Sequence, residues 1–302
     1  MSPEDSLFAP AAFAPEEENK IIKKGYLSTH LSEITKNPFA VFGLCSLGFI
    51  IFMAIIGPFF SDFTYFDIHL ADKNTAPGSK FWFGSDELGR DLFTRIWWGA
   101  RISLFVGFAA ACIDMCIGVI YGAIAGYFGG KADTVMMRFA DIVSSIPSLL
   151  LVILFLVLFS PGLFSLILAL TITGWISMAR IVRGHVIQAK QFDYVKAARA
   201  LGASHLRVLF YHLVPSASGV IITTMTFTIP TAIFAEAFLS FLGLGVQAPI
   251  ASWGTMINDG INALRYYPWR FFFPAAFLSL TMLSCNLIGD ALHDLFDPRL
   301  QK

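Results

Sequence analysis

Arg183-Gly184-His185-Val186-Ile187-Gln188-Ala189-Lys190-Gln191-Phe192-Asp193-Tyr194-Val195-Lys196-Ala197-Ala198-Arg199-Ala200-Leu201-Gly202-Ala203, closed by Val214-Pro215, is a basic segment between two uncharged stretches of membrane-spanning length. Helix connections in bundles need only about 2–8 residues, so a loop this long points to docking rather than chain reversal. Tyr194, Ala197, Ala198, Leu201 and Ala203 to Leu206 make a small, mostly apolar helix surface, with Lys190, Lys196, Arg199 and Arg207 around it. Small residues allow close entry into a groove, Gly202 breaks the helix or lets it turn, and Pro215 suits the start of the next span. On chemistry alone the segment also fits an amphipathic helix lying on anionic lipid.

The flanking sequence explains why a charged loop stands out. Of 302 residues, 56% are hydrophobic and 14% charged, against about 25% charged in soluble proteins. With 21 basic and 21 acidic residues, and no arginine-rich run with interleaved aromatics, nucleic acid is not an expected partner. Cys45, Cys112, Cys116 and Cys285 lie in apolar stretches without Cys-x-x-Cys spacing, as packed, inert thiols do. Cys112 and Cys116 share a helix face, but a metal would need further converging ligands, and none is expected.

A chain of about 20 apolar residues crosses a bilayer as a helix. On that scale the expected organisation is all-α: a cytoplasmic tail over 1–37, then a membrane domain over 38–302 with spans at 39–60, 102–128, 138–159, 162–180, 213–236 and 271–290. An outer loop, 61–101, and a cytoplasmic loop, 181–212, complete it. The tail lacks a basic start followed by an apolar core and a cleavage site, so it reads as retained. Leu88, Leu92, Arg95 and Ile96 recur at helical spacing before span two, and Trp97 and Trp98 suit the headgroup layer, so an interfacial helix is expected there. Gly118, Gly122 and Gly126 form one stripe that lets a neighbouring helix approach closely. Ile142 to Ala179 carries no charge and is long enough for two spans, with Ser160-Pro161-Gly162 as the turn. Most Lys and Arg fall on one side of this arrangement, and positive loops stay cytoplasmic. That places both termini and the basic loop in the cytoplasm.

Few residues could carry chemistry. Gly130-Lys131 is the nearest approach to a phosphate-binding loop, but Ala125 and Ala132 replace the required glycine and hydroxyl residue, and no strand precedes it. Asp114, within span two, is either part of a proton relay or a protonated acid hydrogen-bonded to a neighbouring helix. Glu236, at the end of span five, is either a contact for substrate or an outer gate, or a solvated interfacial group. Thr223, Thr224, Thr226 and Thr228 either line a pathway or bond their own helix backbone.

Lys196-Ala197-Ala198-x-x-x-Gly202, nine residues, then His212-x-Val214-Pro215 resembles the EAA loop of ABC importer membrane subunits. That pattern is Glu-Ala-Ala, three residues, Gly, nine residues, Ile-x-Leu-Pro. Ala197, Ala198, Gly202 and Pro215 match, whereas Lys196, His212 and Val214 depart. Phe83 to Arg95 followed by Gly99 to Leu104, Glu236 to Gly245, Ser252-Trp253-Gly254, and Gly289-Asp290 with Asp297-Pro298-Arg299-Leu300 are similar to the C-type permeases of dipeptide and oligopeptide importers. Tyr267 to Pro274 and Thr173 to Gly184 look most like the oligopeptide branch.

The resemblance implies a six-span type I ABC importer permease in the bacterial cytoplasmic membrane. It would be non-catalytic, with a second permease of related fold, two ATPases that bind ATP and Mg, and an extracytoplasmic peptide-binding protein as partners. Asp193, Tyr194, Lys196, Ala197, Ala198, Arg199, Gly202, Ala203 and Pro215 would couple to an ATPase. Asp114, Thr224, Thr228 and Glu236 become candidates for the pathway or outer gate, and Asp86, Arg90 and Asp91 for outer-loop docking. Rival readings are a permease for dipeptides, nickel or another small solute and, more remotely, a secondary transporter, which would carry polar sites in related halves.

Overall fold

The computed structural model describes residues 36–159 and 162–296. The tail over 1–35, Ser160 and Pro161 of the expected turn, and residues 297–302 lie outside the described residues. Helices dominate: α1 (Pro38–Ile56), α2 (Leu92–Phe128), α3 (Gly130–Ser145), α4 (Ser148–Phe159), α5 (Leu163–Ala189), α6 (Asp193–Ala200), α7 (Ser218–Phe241), α8 (Trp253–Ile261) and α9 (Trp269–Phe296). Among the described residues the sole β feature is an isolated bridge between Ser85 and Asp91.

Five helices are long and apolar enough to cross a membrane, or six if the bent pair α3 and α4 is one span. Their outward faces carry large apolar side chains, including Phe39, Phe42, Phe49 and Phe52 on α1 and Phe105, Phe108 and Ile120 on α2. An exposed apolar surface this extensive belongs against lipid. Inside, α2 and α5 form the central pair, and α7 packs on both of them and on α9.

The glycine stripe does what its spacing requires. A Cβ on Gly118 would lie 2.7 Å from the Trp175 carbonyl oxygen, one on Gly126 would lie 2.8 Å from that of Arg183, and one on Gly122 would overlap the Ala179 carbonyl. Only glycine admits the α5 backbone at three successive turns. In lipid, where burying apolar surface supplies little drive, such backbone proximity is what holds two helices.

Several boundaries differ from the sequence reading. Asp91 caps α2 by accepting from the Phe93 and Thr94 amides, so the expected interfacial helix and span two are one unbroken helix starting at Leu92. Trp97 is therefore buried rather than in the headgroup layer, with its ring 4.6 Å from that of Phe277 and 6.0 Å from that of Phe93. Trp98 stacks on Tyr65 at 4.3 Å and carries the Arg101 guanidinium 4.7 Å above its ring. The expected third span is broken at Ile146-Pro147, where α3 and α4 meet at 80°; proline disfavours helix in the residue before it. Span four runs on through Arg180 and Arg183 to Ala189, and Asp141 and Asp133 on α3 pair with these arginines.

Candidate functional site

The basic loop is a built structure at one end of the α2–α5 pair. Helix α6 ends in a Schellman cap: the Gly202 amide donates to the Arg199 carbonyl at 2.9 Å and the Ala203 amide to that of Ala198 at 3.0 Å. Gly202 sits at φ +84, the left-handed conformation this cap requires. Val195 is buried with Val182, Val186, Val208, Leu209 and Tyr127 in one cluster. The opposite face stays open: Tyr194 is 45%, Leu206 68% and Leu201 89% exposed. Ala197 and Lys196 are exposed, Ala198 and Ala203 half-buried, and Pro215 is exposed in the first turn of Val214–Ser216.

Two side chains absent from the sequence reading, Tyr127 and His205, join the predicted Lys190 and Arg199 in tying this loop to α2. The Tyr127 hydroxyl shares a 2.7 Å hydrogen bond with His205 Nδ1, and the Arg199 guanidinium lies 5.0 Å over the Tyr127 ring. Lys190 Nζ donates to the Gly126 carbonyl at 2.9 Å. Lys196 pairs with Asp193 at 3.1 Å, both exposed, so the pair contributes little to stability. A Tyr at the end of a glycine-striped helix, opposite a basic loop, was the available signal.

A cavity of about 450 Å³ lies between α2, α4, α5 and α7. Asp114, Ser148, Thr173, Ser177, Thr224 and Thr228 put polar groups into its wall, beside Phe227, Phe238 and aliphatic residues. Thr224 and Thr228 also donate to the Val220 and Thr224 carbonyls, so each threonine does both things its sequence position allowed. Pro230 within α7 leaves the Thr226 carbonyl without its helical donor, next to this wall.

Glu236 and the outer-loop candidates require correction. Glu236 is 0% exposed and accepts from Ser240 at 2.7 Å and Ser103 at 3.0 Å. It braces α7 against α2 and does not face the cavity, so neither a gate contact nor interfacial solvation describes it. Asp86, Arg90 and Asp91 are buried too. Asp86 accepts from the Leu88 and Arg90 amides and from Arg90 Nε at 2.6 Å, with Arg95 Nε 3.5 Å away. Asp91 is the α2 cap, and its carboxylate also accepts from Ser61 and Thr94 hydroxyls. None of the three offers a docking surface.

The sequence reading missed Arg270, which closes this network by donating to Asn74, Glu87 and the Asp259 carbonyl at 3.1 to 3.2 Å. Burial pushes the Asp259 carboxyl above its ordinary range, against the opposing pull of Arg95, Arg90 and Arg270. Among the described residues, no group of three or more His, Cys, Asp or Glu side chains is placed to hold a metal.

Residues 118–302, which include α5, the basic loop, α7 and α9, match the family model of the binding-protein-dependent transport system inner membrane component. The chain belongs to that family. Residues 26–77 of this permease match a second model, the N-terminal TM domain of oligopeptide transport permease C. It is 52% identical over 299 residues to the oligopeptide transport system permease protein OppC of Bacillus subtilis, covering 98% of each chain. It is 54% identical over 270 residues to the dipeptide transport system permease protein DppC of the same organism, covering 89% of this chain and 84% of that one. The OppC of Escherichia coli K12 is 41% identical over 265 residues, covering 87% and 88%.

Proposed function

We propose that this chain is a non-catalytic permease subunit of an ATP-driven peptide importer, with oligopeptides as its substrate class. The observation that carries the reading is the full-length similarity to a permease named for oligopeptide transport, in a chain whose central helix pair joins a polar-lined cavity to an exposed docking helix. A second, related permease would complete the pathway. Two cytoplasmic ATPases would bind ATP and Mg, and an extracytoplasmic peptide-binding protein would deliver the substrate. In this reading the chain lies in the bacterial cytoplasmic membrane with both termini in the cytoplasm.

The geometry supports a route for coupling. Tyr194, Ala197, Ala198 and Leu201 enter a groove on one ATPase, with Asp193, Lys196 and Arg199 steering the fit. Gly202, Ala203 and Pro215 hold the helix at its angle. Because Tyr127, Arg183 and Lys190 fasten this loop to α2 and α3, closure of the ATPase pair moves helix ends rather than a loose connection. ATP binding then biases a two-state arrangement of the spans.

The test is peptide uptake into sealed cells or vesicles carrying the assembled importer. Uptake is expected to stop on ATP depletion with the proton gradient maintained. Uptake that continues under those conditions would identify a secondary transporter and overturn the proposal.

A further inference from the structure

Asp114 is 4% exposed and sits in the wall of the cavity between α2, α4, α5 and α7. Its Oδ1 accepts no hydrogen bond, and among the described residues it has no ion pair. The facing residue on α5 is Gly174, where any Cβ would overlap the Asp114 carboxyl group. The bundle thus leaves space for a carboxylate at this place and does not supply its counter-charge. Leaving a buried carboxylate oxygen unpaired is costly, and an acid within a membrane span that faces a cavity marks a place where something else completes it.

The rest of the wall narrows what that is. Thr173, Ser177, Thr224, Thr228 and Ser148 bring hydroxyl oxygens, and among the described residues no Lys or Arg lines the cavity. A carboxylate among hydroxyls matches a group with several N–H donors and one positive charge. A volume of about 450 Å³ lies in the range of ligand pockets, roughly 300–1,000 Å³, and is far larger than a bare cation requires. We propose that Asp114 receives a primary ammonium group of the transported peptide, the α-ammonium or a lysine side chain, as the substrate passes through this cavity. The proposal rests on the peptide-importer reading and adds a specificity-determining residue to it.

The experiment is carbodiimide modification of the assembled importer in detergent, without binding protein, with Asp114 modification quantified by peptide mass spectrometry. The probes are tri-alanine, N-acetyl-tri-alanine and N-acetyl-Ala-Lys-Ala. Tri-alanine and the lysine peptide are expected to slow Asp114 modification at least threefold, and N-acetyl-tri-alanine to leave it unchanged. Protection by tri-alanine alone assigns the α-ammonium, and protection by the lysine peptide alone assigns the side chain; either supports the proposal. Equal protection by all three peptides, or by none, overturns it. In uptake assays Asp114→Asn should lower turnover of tri-alanine about tenfold while binding-protein-stimulated ATP hydrolysis persists; unchanged tri-alanine turnover also counts against the ammonium site. ATP-dependent uptake by the unmodified complex tests the peptide-importer reading separately, so failure of one is distinguishable from failure of the other.

Discussion

Substituting Gly202 separates the shape of the docking helix from the stability of the whole chain. Gly202 is at φ +84, and a Cβ placed there meets nothing within 4 Å. The penalty for Gly202→Ala is therefore the left-handed backbone alone, about 1–2 kcal/mol for an L-residue. The alternative is loss of the two cap hydrogen bonds at 2.9 and 3.0 Å, with Leu201 and Ala203 turned away from their present direction. One or two kcal/mol corresponds to a factor of about 5–30 in a two-state population. Gly202→Ala should thus cut the docking-competent fraction by about that factor, while Gly202→Asn should lie near the unmodified protein because asparagine tolerates this conformation. Gly202→Trp adds bulk on the open face and should abolish coupling without preventing insertion. The assay is ATP hydrolysis by the purified complex, stimulated by peptide-loaded binding protein, normalised to the amount assembled. Full stimulation with Gly202→Trp would show that α6 does not enter an ATPase groove. Equal losses for Asn and Ala would refute the backbone argument.

Three further outcomes follow from the packing. Gly122→Leu should drive α2 from the Ala179 carbonyl and destabilise the bundle by about 1–3 kcal/mol, read as a lower melting midpoint in detergent; an unchanged midpoint would contradict the tight crossing. Glu236→Ala removes the acceptor for Ser103 and Ser240 at a cost of about 1–3 kcal/mol, with uptake per assembled complex preserved; selective loss of uptake at normal stability would restore a pathway role for Glu236. Asp259 has a raised carboxyl pKa through burial, so the folded state holds its proton more tightly than the unfolded chain, and stability falls as pH rises from the ordinary carboxylate range through the raised value. Melting of Asp259→Asn against the unmodified protein should therefore show an advantage that grows over that window and vanishes on its acid side; a pH-independent difference would contradict it.

The fold of the basic loop was legible because its signals are local. Helix-forming small residues, a glycine at the cap position and Pro215 at the next helix start act over one or two turns, so Gly202 and its neighbours stand where their spacing places them. The glycine stripe was equally readable, although its partner was not: three glycines reveal a close approach, and only packing shows that Ala179 and Arg183 make it. The charged cluster before span two misled for the same reason. Asp86, Arg90 and Asp91 look identical in sequence whether water or protein satisfies them. The partners that decide are distant, with Arg270 lying 183 residues from Glu87.

The sequence by itself determined the membrane class, the approximate spans and the capped basic loop, because these depend on hydropathy, charge and short-range backbone rules. Tertiary structure alone decided which polar residues are consumed by packing and which are left open. Glu236 satisfies its carboxylate with Ser103 and Ser240, whereas Asp114 keeps an unpaired oxygen in a cavity wall. Both are single acids in apolar helices, and the cost of burying each depends on neighbours that helical periodicity does not specify.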